Sequence, residues 1–273
     1  MALSFVLNYE EGGERTPLEG DPEAESYLHE VVGAPATVGH RNLNVESMFE
    51  FGSRAGFWRI HRIFRRHRLP LTVYAVGQAL ERNPEAARAM VDAGWEVASH
   101  GWRWIDYLEF SEDEEREHMR RAIESIQQMC GRRPVGWYTG RVSANTRRLV
   151  VEEGGFLYDS DSYADELPYW VEVSSREHLV IPYTLDANDF KFLIPNGFVT
   201  AHQFHDYLMD SFDQLYEEGG RMMSVGLHCR IVGRPGRARA LDRFLAYVTQ
   251  SADVWVATRE EIARHWYEQH PPG

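Results

Sequence analysis

Two adjacent carboxylates, Glu10 and Glu11, follow directly after an apolar stretch whose pattern predicts a β-strand, and a glycine pair comes after them. Charged groups pack poorly along a buried strand, but the end of a strand holds them well at the mouth of a barrel. The pair could bind a metal ion, activate a water molecule or cap a loop. Two like charges this close raise the pKa of one of them, which suits a general base.

Three more reactive side chains come at or just after predicted strands: His100, Arg141 and His228. His228 is in the position of a general acid, with a buried neutral imidazole as the alternative. Arg141 could bind a carbonyl or an anionic group, or form an ion pair with Glu10. Taken alone, His100 would be structural. Because parallel strands end at one face of a barrel, together these groups predict an active site there.

Familiar signatures of other chemistries are absent from the sequence. It has no G-x-S-x-G elbow, no H-E-x-x-H, no C-x-x-C, no Walker loop and no G-x-G-x-x-G. Acid–base hydrolysis is therefore favoured over nucleophilic or cofactor chemistry, and we expect no cofactor. Asp189, with Asp186 and Asn188, follows another predicted strand and either contacts a substrate or belongs to a polar turn.

The elements that must position these groups recur as strand, polar tip and amphipathic helix, about seven times. This alternation predicts an α/β fold with parallel strands, closed or nearly closed into a barrel. We expect one domain over residues 1–273, with a long irregular segment at 12–54. Within and after that segment, Asp21 is predicted to cap a short helix and Ser53 a helix over 55–67. Later helix caps are predicted at Asn83, Ser111, Thr200 and Thr258.

The composition limits the class of protein. Of 273 residues, 43% are hydrophobic, which suffices for a full core, and the net charge of −13 argues against nucleic acid and anionic membranes as partners. The 8 Trp residues suggest a pocket or an interface in addition to the core. Two cysteines, no signal peptide pattern and no apolar run of spanning length lead us to expect a cytoplasmic protein.

The order of these features, an acid pair with glycine, then Ser-His, an Arg loop and a late Leu-His, resembles the polysaccharide deacetylase superfamily. The resemblance implies a distorted (β/α)7 barrel of the polysaccharide deacetylase type. It also implies a first motif Asp-Asp-Gly and a second motif His-x-x-x-His, which supply a catalytic base and three metal ligands. Here the first motif is Glu10-Glu11-Gly12, and the second has His100 and Trp104 at its histidine positions.

Trp104 is the departure that matters, because indole offers an N–H donor and no lone pair for a metal ion. Glu11 and His100 alone would make a poor zinc site, since catalytic zinc takes three protein ligands and keeps an open position. Asp106 is not at the expected spacing to replace the missing ligand. We therefore expect no catalytic metal.

A narrower resemblance agrees with that departure. The segments 8–14, 46–59, 99–106, 158–163 and 185–190 are similar to the metal-independent bacterial allantoinases of this superfamily. This resemblance implies hydrolysis of (S)-allantoin to allantoate in purine degradation, a small-molecule ureide as the partner, and a homotetramer.

Ring opening of a hydantoin needs an activated water, a stabilised oxyanion and a proton for the departing nitrogen. We expect Glu10 or Glu11 to activate the water and His100 to orient it. Arg141 would stabilise the oxyanion and His228 would protonate the nitrogen. Further substrate-binding residues are predicted to be Glu46, Glu50, Arg54, Trp102, Trp104, Asp106 and Asp189.

Two alternatives stay open at this point. One is another amidohydrolase of the superfamily, acting on a cyclic imide, a formamide or an N-acetyl sugar, with or without a metal. The other is a barrel without catalytic activity that binds sugars or ureides, which the substitution at Trp104 would explain.

Overall fold

The structure is a computed structural model that describes residues 1–32 and 35–273. Its strands are β1 (Ala2–Tyr9), β2 (Thr72–Ala75), β3 (Glu96–Ser99), β4 (Gly136–Trp137), β5 (Tyr158–Asp159), β6 (Tyr169–Val173), β7 (Arg176–Val180), β8 (Met222–His228) and β9 (Trp255–Val256). Its α-helices are α1 (Leu43–Phe51), α2 (Phe57–His67), α3 (Gly77–Arg82), α4 (Pro84–Asp92), α5 (Glu112–Cys130), α6 (Thr146–Glu153), α7 (Ala201–Glu218), α8 (Pro235–Val248) and α9 (Arg259–Gln269).

The strands form one curled sheet in the order β6-β7-β5-β4-β3-β2-β1-β8, with β9 also paired to β1. All neighbours are parallel except β6 and β7, which form an antiparallel hairpin. The outer edge of β8 meets the chain after β7 through a parallel bridge between Gly226 and Asn188. The predicted distorted barrel of parallel strands is confirmed.

The central strand β1 is buried from Leu3 to Tyr9, because helices cover its outer face and the barrel interior covers the other. On the outside, the ring of Phe5 packs edge-on against Phe64 of α2 at 5.4 Å and Phe244 of α8 at 6.1 Å. On the inside, Tyr74 stacks on Tyr138 with ring centres 4.8 Å apart. These aromatic layers fix β1, so the residues that follow it have a rigid support.

Most of the predicted helix caps are confirmed. The side chains of Asn83, Ser111, Thr200 and Thr258 each accept a hydrogen bond from a backbone N–H in the first turn of the following helix. The last three of these also form complete capping boxes with a Glu or Gln three residues later. Local hydrogen bonding decided these helix starts, which is why the sequence predicted them.

Two predictions in the segment 12–54 are wrong. The helix there begins at Leu43, capped by Asn42, and continues through a π-helical turn (Gly52–Gly56) into α2, so Ser53 lies inside it and caps nothing. Asp21 caps no helix. Its carboxylate instead accepts a hydrogen bond from the backbone of Thr16 and pairs with Arg103. Gly33 and Ala34, also predicted to be irregular, lie outside the described residues.

None of the helices in the described part of the chain has the length and apolar character that spanning a bilayer requires.

Candidate active site

Three predicted site residues meet at the carboxyl ends of the central strands. Glu10 follows β1, His100 follows β3, and His228 is the last residue of β8. The Glu10 Oε1 atom lies 3.2 Å from His100 Nε2 and 3.5 Å from His228 Nε2. Since β2 and β8 flank β1, and β3 lies beyond β2, the parallel register brings these ends to one edge.

Glu10 is an ionised carboxylate in a buried position, with 1% of the residue exposed. Its other oxygen, Oε2, accepts a hydrogen bond from Arg230 Nη1 at 2.5 Å. Burial alone would raise the pKa of Glu10. The positive charges of Arg230 and His228 and the hydrogen bond from His100 outweigh burial, and they hold the pKa well below its usual range. Glu10 is therefore charged at any physiological pH.

His228 is held by Asp189, which lies in a 3₁₀-helical turn beside β8. The Nδ1 atom of His228 is 2.6 Å from Asp189 Oδ1, and Asp189 Oδ2 accepts the backbone N–H groups of His228 and Val232. Burial lowers the pKa of His228, but the negative charges of Glu10 and Asp189 raise it overall. Nδ1 therefore faces Asp189 and Nε2 faces Glu10, so both nitrogens can donate to a carboxylate when the imidazole is protonated.

His100 is fixed by the backbone of the next strand. Its Nδ1 lies 3.0 Å from the carbonyl oxygen of Tyr138, and its ring stacks on the Tyr138 ring with centres 5.1 Å apart. A carbonyl oxygen only accepts hydrogen bonds, so Nδ1 carries a proton. The other nitrogen, Nε2, is the one that faces Glu10.

Arg230 is the site residue that sequence analysis missed. It comes two residues after β8 and is fully buried. Its guanidinium contacts Glu10, lies 3.6 Å from Glu11 Oε1, and packs on the rings of Phe49 and Trp104 at 4.4 and 4.8 Å. An arginine within the otherwise apolar run that follows His228 was the available signal, since such a residue needs a buried counter-charge.

The carboxylate of Glu11 is held by backbone N–H groups. Its oxygens accept the backbone N–H groups of Glu10 at 3.2 Å and of Arg230 at 3.1 Å. Burial raises the pKa of Glu11 to about 7, with the charge of Glu10 adding to it and Arg230 opposing it. The pair is thus divided: Glu10 is ionised beside the histidines, and Glu11 takes up a proton near neutral pH.

The π-helical turn (Gly52–Gly56) supports both loops of the site. A Cβ atom at Gly52 would lie 2.4 Å from Glu11 Oε1, and one at Gly56 would lie 2.0 Å from the carbonyl oxygen of Cys229. Only glycine allows this approach, because such distances are far below van der Waals contact. The turn therefore presses on the segments that carry Glu11 and Arg230, and π-helical turns are frequent at functional sites.

A small cavity opens above Glu10, and we call it the central cavity. Its lining includes the polar and charged groups Asn8, Glu10, His100, Arg141, Asn188 and His228, and its aromatic walls are Tyr27, Trp104, Tyr138, Tyr163, Tyr183 and Phe190. Arg141 lies over the rings of Tyr27 and Trp104, and its Nη1 is 3.6 Å from the buried carboxylate of Glu25. Arg141 therefore pairs with Glu25 and not with Glu10.

Of the residues predicted to bind substrate, Trp104 lines this cavity and the other six do not. Asp189 contacts His228 and backbone N–H groups, as described above. Trp102 packs in a separate core beneath Arg121 of α5, at 4.1 Å. Asp106 accepts the backbone N–H of Leu108.

The remaining three, Glu46, Glu50 and Arg54, lie with Glu11 along a second depression, which we call the outer groove. Glu46 is paired there with Arg41, and Glu50 lies 3.7 Å from Arg54. Helix α1 and the π-helical turn place them there, and the helical course of this segment was not predicted. The geometry gives these residues no contact with the central cavity.

Comparison with known proteins gives the family of this chain. The sequence model of the polysaccharide deacetylase family matches residues 40–155. A protein of Schizosaccharomyces pombe named after the polysaccharide deacetylases is 44% identical over 292 aligned residues, which cover 99% of this chain and 91% of the relative. The chain belongs to the polysaccharide deacetylase family.

Two solved structures of family members are similar to the whole chain. A Pseudomonas aeruginosa protein, also named after the polysaccharide deacetylases, is 56% identical with a TM-score of 0.97, over 100% of this chain and 92% of that one. The PuuE allantoinase is 54% identical with a TM-score of 0.97, over the same shares of the two chains. The resemblance predicted from the sequence motifs is confirmed.

The residues of this family member do not fit the metal site that the family's motifs imply. Trp104 has no lone pair to offer, and the guanidinium of Arg230 lies against the carboxylates that would bind the ion. In the described residues, no group of three or more His, Cys, Asp or Glu side chains is arranged to hold a metal. The chemistry considered below therefore uses side chains alone.

Proposed function

We propose that this protein hydrolyses a cyclic amide, opening the hydantoin ring of (S)-allantoin to give allantoate without a metal ion. The observation that carries the proposal is the 54% identity to the PuuE allantoinase over the whole chain, with a TM-score of 0.97. The opposite pKa shifts of Glu10 and Glu11, and the guanidinium of Arg230 beside them, support acid–base catalysis. Under this proposal Glu10, rather than Glu11, activates the water molecule, a role that the sequence left open between the two.

The central cavity suits a small neutral ureide. Such a molecule presents carbonyl oxygens as acceptors and N–H groups as donors, and the cavity offers both kinds of partner in Arg141, Asn188 and the histidines. The flat ring of a hydantoin matches the aromatic walls. Arg141, aligned by Glu25 and stacked on Trp104, would bind the carbonyl that becomes an oxyanion.

The first step would be attack by water. A water molecule held by Glu10 Oε1 and His100 Nε2 loses a proton to Glu10, and its oxygen forms a bond to the ring carbonyl carbon. The low pKa of Glu10 keeps it ionised and ready to accept the proton, but it also makes Glu10 a weak base. Glu10 therefore holds the proton only until the nitrogen has left.

The second step would be departure of the nitrogen. The carbon–nitrogen bond breaks, and His228 Nε2 donates its proton to that nitrogen, which leaves readily because it lies between two carbonyl groups. Glu10 then returns its proton to His228 across the 3.5 Å that separates them. The product leaves as a carboxylate after releasing one proton to solvent, so the enzyme regains its starting state.

A second candidate is hydrolysis of another amide, such as a formamide or an N-acetyl group. The names of the S. pombe and P. aeruginosa relatives favour it. The same groups could serve that reaction, but the leaving amine would be poorer and would depend more on His228. Location in the cytoplasm, purine degradation and a homotetramer also remain predictions, as does the absence of nucleic acid and membranes as partners.

The test is ring opening by protein purified in the presence of a chelator. We expect turnover of (S)-allantoin that is unchanged by chelator and by added zinc, with less than stoichiometric metal in the protein. Turnover that appears only after zinc is added would contradict the metal-free mechanism. Turnover of N-acetyl or formyl substrates alone would favour the second candidate, and tight ureide binding without turnover would indicate a binding protein.

A further inference from the structure

Arg230 is unusual because its charge is buried and is shared between two carboxylates. No part of the residue is exposed to solvent, and its Nη1 atom lies 2.5 Å from Glu10 Oε2 and 3.6 Å from Glu11 Oε1. The aromatic faces of Phe49 and Trp104 enclose the rest of the guanidinium. A buried charge of this kind is tolerated only when an opposite charge is fixed beside it.

The contacts of Arg230 combine the ion pair to Glu10 with incomplete hydrogen bonding elsewhere on the guanidinium. Its Nε donates to the carbonyl of Leu28 at 3.3 Å, but its Nη2 is buried with no hydrogen-bond partner in the described residues. A residue kept only for packing would not need to bury an unpaired N–H group. Arg230 is also absent from the lining of the central cavity, so it does not bind substrate directly.

Arg230 and Trp104 together close the place where the family's motifs imply a metal ion. Trp104 replaces a ligand, and the guanidinium on its face lies against the carboxylates of both Glu10 and Glu11. Arginine is permanently protonated, so a divalent cation approaching the pair would meet a positive charge that cannot be removed by pH.

We propose that Arg230 is a positioning residue that acts as the built-in cation of this site: it holds the Glu10 carboxylate beside the histidines and excludes a divalent metal ion from the carboxylate pair. The catalytic half of this inference rests on the proposed ring-opening function. The metal-excluding half does not, and it can be measured without any substrate.

The metal test compares zinc binding by four proteins: wild type, Trp104→His, Arg230→Met and the double variant Trp104→His/Arg230→Met. Each is stripped with a chelator, mixed with equimolar Zn²⁺ and desalted, and the bound zinc is counted by mass spectrometry. We expect about one zinc per chain in the double variant alone. Trp104→His is the matched control, since it restores the ligand but keeps Arg230.

Stoichiometric zinc on Trp104→His would overturn the proposal, because a restored ligand would then suffice despite the guanidinium. A folded double variant that binds no zinc would also overturn it. Circular dichroism and thermal unfolding check the fold. If the double variant does not fold, Trp104→His/Arg230→Gln replaces it, which keeps a polar side chain beside Glu10 but removes the positive charge.

The catalytic test compares Arg230→Lys with Arg230→Met in ring opening. We expect Arg230→Met to lower kcat by about 100-fold with KM changed by less than about threefold, since Arg230 does not line the cavity. Arg230→Lys keeps the positive charge, so its kcat should be about tenfold higher than that of Arg230→Met.

An unchanged kcat in Arg230→Met, or a loss confined to KM, would overturn the catalytic half. A wild-type protein that does not open allantoin would refute the proposed function, while the zinc comparison would still decide whether Arg230 excludes metal. The two proposals therefore fail by different results.

Discussion

Two buried glutamates, Glu10 and Glu96, occupy opposite ends of the same barrel. Glu10 follows β1 at the carboxyl ends of the strands, and Glu96 begins β3 at their amino ends. Glu96 accepts hydrogen bonds from Thr72 Oγ1 at 2.7 Å, from the Tyr158 hydroxyl at 2.8 Å and from the backbone N–H of Glu260 at 2.9 Å. Both carboxyl groups are therefore well bonded.

They differ in the charge of their partners. Neutral donors surround Glu96, so burial dominates and raises its pKa, whereas Arg230 and His228 bring the pKa of Glu10 well below its usual range. Glu10 also opens onto the central cavity, and Glu96 ties β2, β3, β5 and α9 together. The comparison teaches that burial alone does not mark a catalytic carboxylate, because the charge of the partners is what separates the two glutamates.

The largest expected effect separates these two glutamates in the ring-opening assay. Glu10→Gln should lower kcat by about 1,000-fold, because the amide cannot accept the proton of water. Glu96→Gln should leave kcat within about threefold and instead lower the melting temperature, since an amide cannot reproduce its three accepted hydrogen bonds. Loss of activity in Glu96→Gln without loss of stability would break the comparison.

A second prediction concerns stability against pH, where Glu11 resembles Glu96 more than Glu10. The folded pKa of Glu11 is about 7 and its unfolded value is 4.5. A raised folded pKa means that the unfolded chain loses its proton first, so wild-type stability falls as pH rises from about 4.5 to 7. The loss amounts to about 3 kcal/mol for a shift of this size.

Urea unfolding of wild type and Glu11→Gln at pH 5 and pH 7 measures this effect. The variant should lack this part of the decline. Asp161, whose pKa burial likewise raises to about 7, is present in both proteins, so its contribution cancels in the comparison. Equal pH dependence in the two proteins would show that Glu11 is ionised throughout, like Glu10.

A third prediction concerns the transfer of a proton from His228, beside Glu10, to the leaving nitrogen. His228→Ala should lower kcat by about 100-fold, because no other group stands ready to protonate the nitrogen. Asp189→Asn should cost about tenfold, since it leaves the imidazole in place but removes the charge that favours its protonated form. Pre-steady-state kinetics would detect slower bond cleavage, and an unchanged rate in His228→Ala would remove it from the mechanism.

The smallest expected effect concerns the packing of the π-helical turn against the loop that carries Arg230. Gly56→Ala places a Cβ atom 2.0 Å from the carbonyl oxygen of Cys229 and should lower the free energy of unfolding by about 1–3 kcal/mol. Gly236→Ala in α8 is the matched control, since nothing lies within 4 Å of its Cβ position, and should be neutral or stabilise by up to about 1 kcal/mol. Urea unfolding compares the two, and equal stability would refute the close approach.

The sequence by itself determined the alternation of strands and helices, the barrel, most helix starts and the residues at strand ends. These depend on local hydrogen bonds and on periodicity, as at the Ser111–Glu114 capping box. Parallel strands end together, so Glu10, His100 and His228 could be grouped before the structure was known.

Only the tertiary structure decided which role Glu10 and Glu11 each have. Burial and the charge of Arg230 separate Glu10 from Glu11, and a π-helical turn packs closely against the two loops that carry Glu11 and Arg230. The adjacency of the two glutamates predicts that the pKa of one is raised, but not which one, because Arg230 lies 220 residues from Glu10. The charge of a buried group depends on which distant residues surround it, and folding alone brings them together.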